Sequence, residues 1–215
     1  IEFYLNISQS KLALTINAFY AKFKEVKART GLKRLILAKI PDYLPPIKGL
    51  AFQLLKGRKI PKVPADDSVV WWREMMRGEA PKAPKAPMAT HDLAVILYSG
   101  GTTGKPKGIM LSNANFIAEG MQCAHWVGMN KDSSILAILP IFHGFGLGVC
   151  VNAAFMGGGK SILVPTFTPE EVAKLIKRKR PSFVVGVPTL FDALSRHEGF
   201  QRTDLSCLKA AFCGA

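Results

Sequence analysis

The chain has 215 residues, 48% of them hydrophobic, and carries 29 Lys and Arg against 15 Asp and Glu. A chain of this length and hydropathy buries a sizeable core as one large domain, or as one domain with an appended piece, so disorder is not its default state. The basic surplus favours an anionic partner, whether nucleotide phosphate, membrane surface or nucleic acid, and charge alone does not choose among them.

The surplus is uneven. Residues 1–88 hold 17 bases and 7 acids, and residues 89–215 hold 12 and 8. Cys123, Cys150, Cys207 and Cys213 show no metal or redox spacing and lie in apolar stretches, which suits buried thiols in a reduced cytoplasmic protein. The chain opens Ile1-Glu2-Phe3, with no initiator Met and no leader-like segment, and is read as a truncated piece.

In chain order, Lys11–Ile16 reads as a strand, Asn17–Arg29 as a charged helix stopped by Gly31, and Leu32–Ile40 as a second strand. Between Pro41 and Pro64, prolines and lysines surround Leu50, Phe52, Leu54 and Leu55, a pattern for one short basic amphipathic helix. Ser68–Arg77 is predicted as a helix with Ser68 as N-cap, and the Ala/Pro/Lys segment Ala80–Pro87 as an extended linker. The linker divides residues 1–88 from residues 89–215.

Beyond it the elements alternate. Strand Leu93–Tyr98, a Gly/Thr/Lys loop and strand Gly108–Leu111 lead to helix Asn113–Val127, capped by Ser112, and strand Ser134–Leu139. The apolar run from Ile135 to Gly159 is broken by Pro140, His143 and six glycines, so it fits a buried strand and a buried helix, Gly144–Met156, better than a membrane span. Strand Ser161–Val164 follows, and then a helix announced by Thr168 as N-cap, Pro169 at N1 and Glu170 and Glu171 in its first turn. Strand Phe183–Val187, helix Thr189–Arg196 and strand Leu208–Phe212 end the series. The expected fold class is α/β, a mostly parallel sheet with helices on both faces.

The chemistry concentrates in Tyr98-Ser99-Gly100-Gly101-Thr102-Thr103-Gly104-Lys105-Pro106-Lys107-Gly108. Gly100, Gly101 and Gly104 let the backbone approach a polyphosphate, Ser99, Thr102 and Thr103 supply hydroxyls, and Lys105 and Lys107 supply positive charge. The string is not a P-loop, because Pro106 follows Lys105 and Ser99 stands where the first glycine is required. It also lacks the dinucleotide-binding G-x-G-x-x-G.

This string resembles the signature loop of the adenylate-forming superfamily, which includes acyl-CoA synthetases, luciferases and peptide-synthetase adenylation domains. Leu139–Gly146, Gly186–Phe191 and Ala211–Ala215 resemble later motifs of that superfamily in the same order. Within it, the Ile141–Gly148 string and the basic insert look most like bacterial long-chain fatty acid–CoA ligases. The resemblance implies an ATP-dependent acid–thiol ligase whose substrates are ATP, a fatty acid and CoA, with Mg²⁺ as cofactor. It further implies that Ser99, Thr102, Thr103 and Lys107 hold the outer phosphates while the carboxylate attacks the α-phosphate. By the same resemblance the acidic Mg²⁺ ligand, the ribose-binding Asp and a C-terminal domain lie beyond Ala215, so no metal ligand is assigned and this piece alone is expected to be inactive.

His143 reads as a hydrogen-bond donor beside the reacting carboxylate and α-phosphate rather than as a core histidine, and Phe142 and Phe145 as packing. Val187, Pro188, Thr189 and Phe191 line an acyl tunnel or are simple core, and Gly214 and Ala215 share that ambiguity at the substrate and adenine pocket. His91, His125 and His197 are taken as structural or surface residues. Lys177–Arg180 is taken as the dipole-complementing end of a helix rather than a nucleic-acid patch. Two further readings stay open: an aryl- or amino-acid-adenylating relative, and a membrane-surface module built on residues 43–60, which would make the protein peripheral to a membrane.

Overall fold

The computed structural model describes residues 1–78, 88–99 and 106–214. The expected linker Ala80–Pro87 lies outside the described residues. The chain divides into two units, Ile1–Ala86 and Pro87–Ala215.

The first unit holds α1 (Glu2–Ile7), β1 (Leu12–Ile16), α2 (Tyr20–Lys27), β2 (Arg34–Ala38), α3 (Pro46–Leu55), β3 (Val69–Trp71) and α4 (Trp72–Met75). β1, β2 and β3 form a parallel sheet in that order. Leu35 and Leu37, two positions apart on the central strand, point into one core with Leu5, Tyr20, Val26 and Leu32.

Three expectations are corrected here. Ser68 does not cap a helix: its backbone N–H and hydroxyl both donate to Asp66, at 2.9 and 2.6 Å, and the chain leaves that turn extended. Val69-Val70-Trp71, two β-branched residues and an aromatic one, then pair with Leu35–Leu37, and only Trp72–Met75 is helical. The charged helix begins with a 3₁₀ turn over Asn17–Phe19. It ends at Lys27, with Ala28 as C-cap, short of the expected Arg29, and Arg29 and Thr30 turn back onto the carbonyls of Val26 and Lys27.

The second unit opens with an antiparallel pair, β4 (Leu93–Ser99) and β5 (Lys107–Ser112). Ser112 caps α5 (Asn113–Trp126) reciprocally: its hydroxyl accepts from the Asn115 N–H at 3.2 Å, and the Asn115 amide oxygen accepts from the Ser112 N–H at 3.1 Å. β6 (Ser134–Ala137), a π-helix (Gly146–Asn152), α6 (Ala153–Met156), β7 (Lys160–Leu163), α7 (Pro169–Lys179), β8 (Phe183–Gly186), α8 (Pro188–Ser195), α9 (Glu198–Gln201) and β9 (Ala210–Cys213) follow.

Strands β7-β6-β8-β9 form one parallel sheet. The central strands β6 and β8 are buried throughout, as continuous apolar runs in a doubly covered sheet must be. Leu136, Ile138 and Val184 face a core with Val172, Leu175 and Ile176 of α7 and Leu190 and Leu194 of α8. Ile135, Ala137, Leu139, Phe183 and Val185 face the opposite core, with Cys150 of the π-helix. The α/β class with helices on both faces is therefore what this unit shows, with β4 and β5 as its antiparallel exception.

α7 starts as its signals require, with the Thr168 hydroxyl accepting from the Glu171 N–H at 3.2 Å and Pro169 at N1. Its end does more than complement a dipole. Arg180 adopts a left-handed conformation, φ 47°, and its guanidinium donates to Asp204 at 2.6 Å and Ser206 at 2.9 Å. Among the described residues no helix is long and apolar enough to cross a membrane.

Candidate functional site

In the four-stranded sheet the chain runs from β6 outward to β7, then returns across β6 to β8 and on to β9. The order therefore reverses between β6 and β8, and ligands of open α/β sheets bind at the carboxyl edge of such a switch point. Ala137 pairs with Val185 and Gly186 with Cys213, so the segments leaving β6, β8 and β9 emerge at one edge. Those segments are Pro140–His143, Val187–Thr189 and Gly214, which brings together most of the described positions that the sequence singles out.

Ser99 and Lys107 face each other as the last pair of the β4–β5 ladder. The pairing sets two flanking residues of the phosphate-type string, Ser99 and Lys107, side by side. Gly100, Gly101, Thr102, Thr103, Gly104 and Lys105 lie outside the described residues, as does Ala215. The hairpin reaches the sheet edge through Leu97, two residues before Ser99, whose Cδ1 would lie 3.4 Å from a Cβ placed on Gly144. Gly144 is the neighbour of His143.

His143 is exposed in the turn between β6 and the π-helix. Its backbone N–H donates to the Pro140 carbonyl at 3.1 Å, and its Nδ1 accepts from the Phe145 N–H at 3.3 Å. A ring that accepts at Nδ1 keeps its neutral-form proton on Nε2, which is the nitrogen left to donate outward. Gly146 makes this turn possible, since a Cβ there would collide with the backbone carbonyl of Pro140. The π-helix that follows is pinned by Asn152, the buried polar residue in an apolar run. Its amide donates to the Phe116 carbonyl and, at 3.0 Å, to Glu119. Single π-type turns of this kind occur often beside functional sites.

Two apolar grooves open at this part of the unit. One, of about 670 Å³, is lined by Leu139, Pro140, Phe142, Val164, Val187 and Leu190. The other, of about 530 Å³, is lined by Trp126, Met129, Phe145, Val149, Phe212 and Gly214. No charged side chain lines either groove among the described residues. Gly214 lines the second groove, and a Cβ on it would sit 3.3 Å from the Phe145 ring.

Several expectations change at the level of single residues. Phe142 does not pack in the core: it is 84% exposed and forms a lip of the first groove. Phe145 does pack, against the core on its face of the sheet. Val187 and Phe191 pack against the core beneath α8, whereas Pro188 and Thr189 are exposed at the start of that helix. Cys150 is the buried thiol, Cys123 and Cys207 are half-buried and Cys213 is exposed. Burial pushes the Cys150 thiol up to about 12, and burial and the Glu119 carboxylate push Cys123 up to about 11, so neither is a nucleophile. His197 caps α9 by accepting from the Phe200 N–H at 3.2 Å, and its Nε2 lies 2.8 Å from Glu170.

Sequence reasoning missed Trp126, Asn152 and Glu119, and took Phe212 only as part of the Ala211–Ala215 string. Asn152 alone carried a signal, as a polar residue inside an apolar helix-forming run. Trp126 and Phe212, with ring centroids 5.9 Å apart, come from segments distant in the chain that only the fold brings together.

The sequence profile of the family described as AMP-binding enzyme matches residues 1–215. The long-chain-fatty-acid–CoA ligase of Bacillus subtilis is 30% identical over the whole chain, which spans 39% of that relative's length. The feruloyl-CoA synthase of an Amycolatopsis species is 31% identical over 61% of this chain and 27% of its own. Among solved structures, a long-chain-fatty-acid–CoA ligase from Archaeoglobus fulgidus superposes with a TM-score of 0.75 at 25% identity, covering all of this chain and 38% of its own.

Proposed function

Since the chain belongs to the AMP-binding enzyme family, we propose that it is part of an ATP-dependent acid–thiol ligase acting on fatty acids. The observation that carries this reading is the pairing of Ser99 with Lys107 at the end of the β4–β5 ladder, with Leu97 of the same strand against the neighbour of His143. In the proposed reaction a carboxylate oxygen attacks the α-phosphorus of ATP, the bond to the bridging oxygen breaks, and pyrophosphate leaves with that electron pair. The acyl-adenylate then passes its acyl group to the thiol of CoA and releases AMP.

The chain's own groups supply position and charge. Ser99, Thr102, Thr103 and Lys107 hold the departing phosphates, with Gly100, Gly101, Gly104 and Lys105 shaping the loop around them. His143 donates its Nε2 proton as a hydrogen bond to the oxygen that gathers charge on the α-phosphate. A Lys and several preorganised donors suffice for this, because phosphoryl transfer asks for positioning and neutralisation rather than a nucleophilic side chain. Among the described residues no group of three or more His, Cys, Asp or Glu converges, so none of them is assigned as a Mg²⁺ ligand.

The uncharged grooves support a fatty acyl chain over an amino acid, whose ammonium group would need an anionic partner. The paired rings of Trp126 and Phe212 favour an aryl acid as the second reading. The four free cysteines suit a reducing compartment, and we place the enzyme in the cytoplasm.

ATP–pyrophosphate exchange by the full-length parent, with laurate, palmitate, an aryl acid and an amino acid in parallel, tests the reading. Exchange with the fatty acids is expected, and none is expected from the 215-residue chain alone. Exchange with the aryl acid only would select the second reading, and no exchange by the parent with any carboxylic acid would overturn both.

A further inference from the structure

The observation that no part of the proposed reaction uses is the outer face of α3. At 3.6 residues per turn, Leu50, Leu54, Ile47, Ala51 and Leu55 fall within an arc of about 140°. Ile47 is 85% exposed, Leu50 60%, Leu54 53% and Leu55 75%. The helix is nevertheless seated. Its opposite face buries Gly49, and Phe52 lines a cavity of about 470 Å³ with Ile60, Val63 and Trp71 of the same unit. The apolar stripe is thus what remains outside once the helix has used its inner face.

The charge around this stripe has one sign. Residues 43–65 contain Lys48, Lys56, Arg58, Lys59 and Lys62 and no acidic residue. Among the described residues none of these five cations forms an ion pair. An apolar stripe flanked by unpaired cations needs a partner that offers hydrocarbon and negative charge side by side. A second copy of the chain fails that requirement, because two such patches brought together would repel. Nucleic acid meets the charge and leaves the stripe in water. An anionic bilayer surface meets both, with the apolar side chains at the acyl boundary and the cations among the headgroups.

We propose that α3 and the basic segment after it dock the protein on an anionic lipid surface, an inference independent of the acid-activation reading. The 215-residue chain is mixed with vesicles of equal parts phosphatidylglycerol and phosphatidylcholine, or of phosphatidylcholine alone, and sedimented. Co-sedimentation with the anionic vesicles only is expected, weakening as salt rises. The double variant Leu50→Glu with Leu54→Glu should bind at least about tenfold more weakly, because it removes apolar contact and adds repulsion at exposed positions. Ile47→Ser with Leu55→Ser, read alongside far-ultraviolet circular dichroism, guards against a misfolded first variant and should also lose binding.

Failure to sediment with anionic vesicles would overturn the proposal. So would binding that both variants retain, or duplex DNA bound more tightly than vesicles and equally by wild type and variants, which would reassign the patch to nucleic acid. Concentration-dependent dimerisation abolished by the same substitutions, without vesicle binding, would assign it to self-association instead.

Discussion

Both units are built on a parallel sheet, yet they put their unusual surfaces in different places. In Pro87–Ala215 the sheet has a core on each face, and the candidate site residues His143, Val187 and Gly214 gather at its carboxyl edge. In Ile1–Ala86 a smaller sheet packs into one core, and its unusual surface is a helix turned outward, beside a run of cations. The charge follows the same division, with ten of the fourteen net positive charges in residues 1–88. Doubly covering a sheet concentrates ligand-binding groups at its edge, whereas a thin unit displays its surplus apolar and basic groups on its outside.

If the two cores are independent, each should respond to its own substitution. Phe183→Ala removes a fully buried ring from the second unit and should cost about 3–5 kcal/mol there. Leu35→Ala should cost about 2–5 kcal/mol in the first unit. Trp71 and Trp72 report on the first unit and Trp126 on the second, so urea titrations of Trp126→Phe and of Trp71→Phe/Trp72→Phe backgrounds follow each core separately. A single shared transition displaced equally by both substitutions would dissolve the comparison.

A smaller effect tests the edge of the second sheet. Gly146→Ala places a Cβ against the Pro140 carbonyl and must push the His143 turn off the π-helix. The strain should cost about 1–3 kcal/mol, read as a lower urea midpoint for the Trp126 signal alone.

The smallest effect concerns acid in the first unit. The Asp66 carboxyl is held well below the usual carboxylate range by the Ser68 hydroxyl first, then by the Lys24 ammonium, the Ser68 N–H and the Tyr20 hydroxyl. A depressed folded value means that the stabilisation is present in full above the unfolded carboxyl's value, near pH ~4, and is lost as pH falls below it. Asp66→Asn should therefore lower the first unit's stability by about 1 kcal/mol at neutral pH, and wild type and variant should converge in strong acid. An unchanged gap at low pH would contradict the linkage.

Much of this organisation was legible in the residues. Thr168-Pro169-Glu170-Glu171 announced α7 because capping, φ restriction and dipole charge all agree there, and Ser112 announced α5 for similar reasons. The short elements were not legible. Ser68 looks like a helix cap until Asp66, two residues earlier, takes its N–H and hydroxyl, after which β2 draws Val69–Trp71 into the sheet. The helix over residues 144–156 was legible as a helix but not as a π-type one, since that depends on Asn152 reaching α5 and on Gly146 meeting Pro140. Among the candidate site residues, His143, Val187 and Gly214 share an edge because β6, β8 and β9 are parallel neighbours in one sheet, a fact of topology that no local pattern encodes.

The measurement that bears most directly on the central claim is ATP–pyrophosphate exchange by the full-length parent carrying Thr102→Ala and Lys107→Ala together. With a hydroxyl and a cation removed from the loop between Ser99 and Gly108, exchange should fall by roughly 100-fold or more while the fold, followed by circular dichroism, is unchanged. Exchange at the wild-type rate would mean that the outer phosphates are held elsewhere.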